Sequence, residues 1–402
     1  MNQVAESYVR LVLAVGVHDD GYVDAYYGPE ELRRQVESNA EPLETIGAGA
    51  TQARAQLESV SLDGLDELER LRHEFLDRQL GALVARIDML HGKKLRFDEE
   101  SRALYNAVAP AHSAAHYETI LAQLDEQLPG EGSVSERRET FREEFVIPKA
   151  KLDSVFRAAI EECRKRIRPW VELPDDEDFR LEYVTDKAWS GYNWFQGGHQ
   201  SLIQINTDLP IHIDRAIDLA CHEGYPGHHA YNVLLEWRLY EERGWSEYCV
   251  YPLFSPMSLI AEGSANYGIE LTFPDEERIK YESEHLFPLA GIDPNRAELY
   301  YEIEKLAEKL NFAGNEAARR YLDGEIGEEG AVEWLQNYAL MSEKRARQRV
   351  RFIEKYRSYV INYNVGKELV REYIEAAGEA PEARWRRFTA LLSSPRLPSG
   401  LK

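Results

Sequence analysis

The sequence predicts a mainly α fold with a small β-hairpin or short sheet. Three observations predict it. Apolar residues recur at helical spacing over 64–91, at Leu65, Leu68, Leu71, Phe75, Leu80, Leu83, Val84, Ile87 and Leu90. The stretch 296–376 keeps the same period almost without a break. Only two short runs, 181–185 and 202–206, read as strands.

At 402 residues the chain is long enough for a sizeable core, as one large domain or two lobes. Its formal net charge of −23 argues against nucleic acid as a partner, because that affinity comes largely from cationic contacts. No run of about 18 apolar residues suggests a membrane span. The first residues lack the basic region of a signal peptide. The cysteines, Cys163, Cys221 and Cys249, are an odd and widely spaced set. They suit neither a disulfide framework nor a Cys-x-x-Cys zinc site, which points to a reducing, cytoplasmic setting.

In chain order, residues 1–50 read as a helix, a loop rich in Gly, Asp and Tyr at 18–28, then a short helix at 29–38. Pro29 suits that helix start, where its missing N–H is no loss. The long helix over 64–91 is closed by Gly92. His112 and His116 stand four apart, a spacing that can put two metal ligands on one face. With no adjacent glutamate, ordinary helix packing is the favoured reading for them. Ser133 and Glu136 read as a capping box, the hydroxyl meeting a free N–H and the glutamate reaching back. After Pro148, the residues Leu152, Val155, Phe156, Ala159, Ile160 and Cys163 mark another helix, with Cys163 on its core face.

The proline- and acid-rich connection at 169–179 is the best boundary between an N-terminal helical lobe, 1–170, and a C-terminal catalytic lobe, 171–402. The two are expected to form one integrated domain. Gly197-Gly198, between the strand-like runs, predicts a turn and a small hairpin. Such a hairpin either covers the core or binds an extended substrate by strand addition. Thr207 to Pro210 reads as a capped helix start, with Ile213, Ala216, Ile217 and Ala220 turned inward. The tail beyond Gly378, with Pro381, Pro395 and Pro398, is expected to pack loosely at its end.

The chemistry is concentrated in Cys221-His222-Glu223-Gly224-Tyr225-Pro226-Gly227-His228-His229 and in Ala261-Glu262-Gly263-Ser264-Ala265-Asn266-Tyr267. Histidines followed by a helical glutamate are zinc-ligand types. A carboxylate beside the first ligand is placed to move a water's proton. In His-Glu-x-x-His the two histidines share a helix face one turn apart. Here His228 and His229 stand at offsets six and seven from His222. On an unbroken helix, offset six turns about 240° to the wrong face, and offset seven climbs about 10.5 Å. Pro226 opposes an unbroken helix, since it lacks an N–H and would clash with the His222 carbonyl. Gly227 adds backbone freedom. The helix is therefore expected to bulge or restart and return a histidine to the ion. Period does not say which one.

His-Glu-x-x-Pro-Gly-His-His followed by Glu-Gly-x-Ala-x-Tyr resembles an uncharacterised bacterial and archaeal domain family related to zinc peptidases. Its members are similar to the mainly helical gluzincins, including the Taq-type carboxypeptidases, which carry His-Glu-x-Gly-His and Ala-x-Tyr. The resemblance covers about 128–373, including Leu-Pro-Gly-Glu-Gly at 128–132 and Tyr363-Asn364-Val365-Gly366-Lys367. It implies a large gluzincin-like helical fold with the small β element beside the metal site. It also implies one zinc ion held by His222, His228 and Glu262, with His229 beside them and Glu223 as general base. Ser264 stands where the family more often has Trp, a departure that leaves the ligand set in place.

An anionic tetrahedral intermediate needs a hydrogen-bond donor near the metal. His229, Tyr359 and Tyr363 are the candidates, with Tyr363 preferred. Lys367, or the pair Arg345 and Arg349, either holds a substrate carboxylate or simply faces solvent. Asp218 and Asn266 are candidates for orienting the ligand side chains. The expected function is a zinc-dependent hydrolase of amide bonds, a metallopeptidase on short peptides or small-molecule amides. One alternative is a zinc enzyme acting on a non-peptide amide or ester, or in a biosynthetic pathway. The other is a non-catalytic protein with a structural zinc, although such sites are usually closed and cysteine-rich.

Overall fold

A computed structural model describes residues 1–401, and these are mainly helical with two small sheets. The N-terminal helices follow the apolar periods. They are α1 (Asn2–Gly16), α2 (Glu30–Ser38), α3 (Leu43–Glu58), α4 (Glu67–Leu90), α5 (Phe97–Tyr105), α6 (Ala114–Gln127), α7 (Val134–Glu143) and α8 (Leu152–Ile167). The Asp66 side chain opens α4 by accepting the Glu69 N–H, while Glu69 reaches back to the Asp66 N–H. The capping box of Ser133 and Glu136 opens α7 as the spacing predicts. On α8, Val155, Phe156, Ala159 and Cys163 are buried.

Between α1 and α2 the segment read as a loop contains a strand, β1 (Val23–Tyr26). The main sheet holds β2 (Asp178–Val184), β3 (Gly191–Gly197) and β4 (Gln200–Asn206) in the order β2-β4-β3. Its hairpin joins β3 to β4 through Gly197 and Gly198, both at positive φ. The two runs read as strands from the sequence, within β2 and β4, are instead parallel, with Leu181 opposite Ile203. The residues between them make a strand of their own. Asn193 and Phe195 are buried while Trp194 and Gln196 are exposed, a period of two carried largely by polar types. Later in the chain, β5 (Val250–Pro252) pairs antiparallel with β1.

Thr207 to Pro210 does not start a helix. The Asp208 carboxylate accepts the N–H groups of Asp186 and Lys187 and so fixes the loop between β2 and β3. The helix α9 (Asp214–Leu219) begins only beyond it. Then come α10 (His228–Leu235), α11 (Pro256–Thr272), α12 (Asp275–Tyr281), α13 (Phe287–Ala290), α14 (Ala297–Glu308), α15 (Ala313–Leu322) and α16 (Glu328–Ala339). The chain closes with α17 (Glu343–Tyr356), α18 (Ile361–Glu375) and α19 (Pro381–Leu392). The tail expected to be loose is packed. Trp385, Phe388, Leu391 and Leu392 bury one face of α19, and Leu397 and Leu401 are buried beyond it.

Two large apolar clusters form the core. One joins Phe156 and Cys163 to Ile217, Cys221, Phe287 and Tyr300. The other joins Leu76 and Leu80 to Leu253, Leu259, Val360 and Ile361. Each draws residues from both sides of the 169–179 connection. A buried bidentate pair, Arg72 with Glu247 at 2.6 and 2.9 Å, ties α4 to the segment before β5. No described helix is long and apolar enough to cross a membrane.

Candidate metal centre

The helix that carries His222 widens just before the break. The Tyr225 N–H bonds the Ala220 carbonyl at 3.1 Å, and the Gly227 N–H reaches the Cys221 carbonyl at 2.9 Å. Both bonds span more than the four residues of a regular turn. The chain then folds over Pro226 and Gly227, and α10 starts at His228. A Cβ on Gly227 would lie 1.9 Å from the His222 carbonyl oxygen, so glycine alone permits this return. It swings His228 back over His222. The two rings stand perpendicular with centroids 4.7 Å apart, and their Nε2 atoms are separated by 3.2 Å.

Glu262, buried on α11, completes the group. Its Oε2 lies 3.2 Å from His222 Nε2 and 3.8 Å from His228 Nε2. One donor atom from each residue falls within 4.8 Å of the other two. Burial alone would raise the Glu262 pKa, but the two histidines hold it well below the usual carboxylate range. Burial would likewise lower His228, yet the Glu262 carboxylate raises it to about 9. Glu262 Oε2 is out of solvent and accepts no hydrogen bond. Two imidazole nitrogens and an unsatisfied carboxylate oxygen facing one point fit a divalent ion such as zinc.

The other oxygen of Glu262 is held. The Tyr359 hydroxyl donates to Oε1 at 2.8 Å. Tyr359 stands in the turn before α18, and that turn is fixed by Glu100 of α5. The fully buried Glu100 carboxylate accepts from Arg357 Nε at 2.7 Å and from the Ser358 N–H and hydroxyl at 3.1 and 2.7 Å. Tyr363, one turn further along α18, also lines the cleft. Its hydroxyl makes no hydrogen bond among the described residues. Glu223 is buried beside His222, and burial raises its pKa. The Asn193 side chain of β3 donates to the Glu223 carbonyl at 2.8 Å, which fixes the sheet against this turn.

His229 is not brought to the group. Its ring points the other way, with Nδ1 2.8 Å from the Ser201 hydroxyl and Nε2 2.9 Å from Glu177 Oε2. Tyr225 donates to the same carboxylate at 2.5 Å. Both ring nitrogens are thus engaged in a buried network that joins α10 to β4. Cys221 also points away, its sulfur 2.9 Å from that of Cys163. Asp218 pairs with Arg215 and Arg278, each at 2.9 Å, rather than with a histidine. Asn266 donates to the Tyr363 carbonyl at 3.1 Å. Lys367 is paired with Glu270 and Glu308. His112 and His116 stack with centroids 4.4 Å apart and lie outside the ligand group.

Asp24 was not legible in the sequence. It stands on β1, lines the cleft and accepts a hydrogen bond from Tyr192 of β3. Burial pushes its pKa up to about 6, partly offset by Tyr192 and His228. Only the strand pairing of β1, invisible in a Gly- and Tyr-rich segment, would have pointed to it. The cleft encloses about 1890 Å³, more than most small-ligand pockets, and has room for a short peptide.

No protein-family model matches the chain, and no curated protein does. Solved structures do. A provisionally assigned lipoprotein from Colwellia psychrerythraea superposes with a TM-score of 0.52 at 15% identity, over 87% of this chain and 65% of its own. This chain therefore spans just under two thirds of that protein's length. A provisionally assigned lipoprotein of unknown function from Shewanella oneidensis gives a TM-score of 0.50 at 11% identity, over 96% of this chain and 80% of its own. An M32 carboxypeptidase from Deinococcus radiodurans R1 is a weaker match, with a TM-score of 0.43 at 13% identity, over 96% and 89%. At such identities the likeness to the first two shows a shared fold alone.

Proposed function

We propose that the cleft is the active site of a zinc-dependent hydrolase of amide bonds that acts on short peptides. One observation carries the reading: His222, His228 and Glu262 converge on one point, and the buried carboxylate Glu223 adjoins the first of them within a large cleft. Three protein ligands leave a position open, as catalytic zinc sites do. A bound zinc supplies Lewis acidity, polarising a substrate carbonyl and acidifying a water.

The chain's own groups do the rest. Glu223 takes a proton from the attacking water on its carboxylate and returns it to the leaving amide nitrogen. Tyr363 donates its hydroxyl proton in a hydrogen bond to the oxyanion that develops on the carbonyl. Tyr359 holds Oε1 of Glu262 and leaves Oε2 for the ion. On the edge strand β3, Gly191 to Asn193 line the cleft, where an extended peptide can add as a further strand.

The test is digestion of a mixed peptide library by the zinc-loaded protein, read by mass spectrometry. Cleavage of amide bonds, abolished by a chelator and restored by zinc, is expected. A zinc-loaded, folded protein that cleaves no peptide sinks the reading.

A further inference from the structure

Arg345 and Arg349 stand one turn apart on α17, and both line the cleft. Most other cations of the cleft are neutralised. Lys367 pairs with Glu270 and Glu308, Arg371 with Glu270 and Glu368, Arg278 with Asp218 and Glu282. Arg345 and Arg349 form no ion pair and no hydrogen bond among the described residues. Arg349 Nε is out of solvent with no partner. The guanidinium of Arg349 lies 4.9 Å from the Phe352 ring centroid and 6.0 Å from that of Tyr363. Tyr363 in turn stands 5.8 Å from Tyr359, which holds Glu262. Arg349 is therefore one aromatic ring, that of Tyr363, away from the tyrosine that holds Glu262.

Both side chains are half-buried, and Arg349 keeps its Nε out of solvent with no acceptor, an arrangement that proteins normally relieve by pairing. Burial pushes the pKa of Arg349 down, and Arg345 is pushed the same way by burial and by Arg142 and Arg138 nearby. Acids are not scarce in a chain of net charge −23. Two guanidiniums left unpaired at this place are accounted for when a ligand brings the carboxylate. The planar fork of arginine suits a carboxylate in bidentate fashion.

We propose that Arg349, with Arg345 one turn along the helix, binds a carboxylate of the substrate and makes the enzyme selective for carboxylate-bearing peptides. The proposal rests on the amide-hydrolase reading. The carboxylate belongs either to the peptide's C-terminus or to an acidic side chain.

Three peptides sharing one scissile bond separate these sources: one with a free C-terminus, one amidated, and one amidated with a terminal Glu. The wild type is expected to prefer at least one carboxylate-bearing peptide over the neutral one by roughly tenfold or more in kcat/KM. In R349Q that preference collapses towards one, chiefly through KM. R349K, which keeps the charge and loses the fork, falls between. Comparing the first and third peptides identifies the source. Equal cleavage of all three by the wild type overturns the proposal. So does an R349Q variant that slows all three in the same proportion.

If no peptide is cleaved, the hydrolase reading fails by itself. The arginine site is then read by calorimetry with glutarate. Binding to the wild type that weakens roughly tenfold or more in R349Q supports the site, and absent or unchanged binding overturns it. Should R349Q fail to fold, judged by its thermal melt, R345Q and R349K carry the same comparisons.

Discussion

Gly263 of α11 and Gly366 of α18 meet backbone to backbone. A Cβ on Gly263 would lie 2.5 Å from the carbonyl of Gly366, and one on Gly366 would lie 3.0 Å from Gly263 Cα. This crossing lets the two helices approach more closely than the usual 8–10 Å or so between axes. It brings Glu262, the neighbour of Gly263, against Tyr359 and Tyr363 at the start of α18. The charged end of the candidate centre is thus assembled by a contact between two residues without side chains.

Replacing Gly366 by Ala should force the helices apart. Overpacking of this kind costs about 1–3 kcal/mol, measurable as a lower midpoint in urea unfolding. Zinc affinity should fall as well, because Glu262 is carried with α11. Unchanged stability in G366A would show that the crossing tolerates a methyl group.

Metal analysis of zinc-dialysed protein should find about one ion per chain, since the group offers one donor from each of three residues. H228A should lose it. H229A should keep it and be less stable by about 1–3 kcal/mol, because Ser201 and Glu177 are left without their partner. The reverse pattern would mean that His229 turns to the ion.

E223Q should retain zinc and lose turnover by about 10²–10⁴, the usual range for a general base. Equal turnover in this variant would remove Glu223 from the mechanism. Circular dichroism and metal content check that the fold and the ion persist.

Glu100 acts on the centre from a distance. E100A leaves the half-buried Arg357 and the buried Ser358 donors without their shared acceptor, a loss of about 1–3 kcal/mol. It also loosens the turn that carries Tyr359. Zinc affinity should drop by about ten- to a hundredfold, as when a partner of a ligand is removed. Direct titration with a competing chelator measures it.

His212 supplies a pH dependence away from the ligand group. Burial, with Arg142 nearby, pushes its pKa from 6.5 down to about 3. The unfolded chain therefore binds this proton first. The stability that His212 contributes is present above about pH 6.5 and is lost as pH falls from there towards 3, at up to about 1.4 kcal/mol per unit. H212Q should flatten that acid limb in urea melts taken between pH 7.5 and 4.5.

The long helices were legible because their apolar periods are strong, as in α4 and α8. The interruption at Pro226 was legible too, since proline cannot continue a helix there. The facing of His228 and His229 was not legible in the residue period, and only the family resemblance chose His228. It depends on the wide turn at Ala220 to Gly224 and on the close approach at Gly227, neither of which has a period. Strand β3 was hidden because Tyr192, Asn193 and Gln196 do not look apolar. Asp24 and Glu100 act through contacts with residues far along the chain, which no local pattern records. In the tail, Pro381, Pro395 and Pro398 flank Trp385, Phe388, Leu391 and Leu392, whose helical spacing is too short a run to stand out between them.

That packed tail has a bearing on how the molecule is made. Phe388 of α19 packs against Tyr267 of α11 with centroids 6.4 Å apart. Both the Phe388 and Pro226 rings lie against Gly268, just behind the ligand group. On a ribosome, His222, His228 and Glu262 emerge long before this backing does. The nascent chain carries all three metal donors while the wedge behind them is still unsynthesised. The group of His222, His228 and Glu262 gains its backing only once α19 is made, and a product truncated before α19 should bind zinc more weakly than one that contains it.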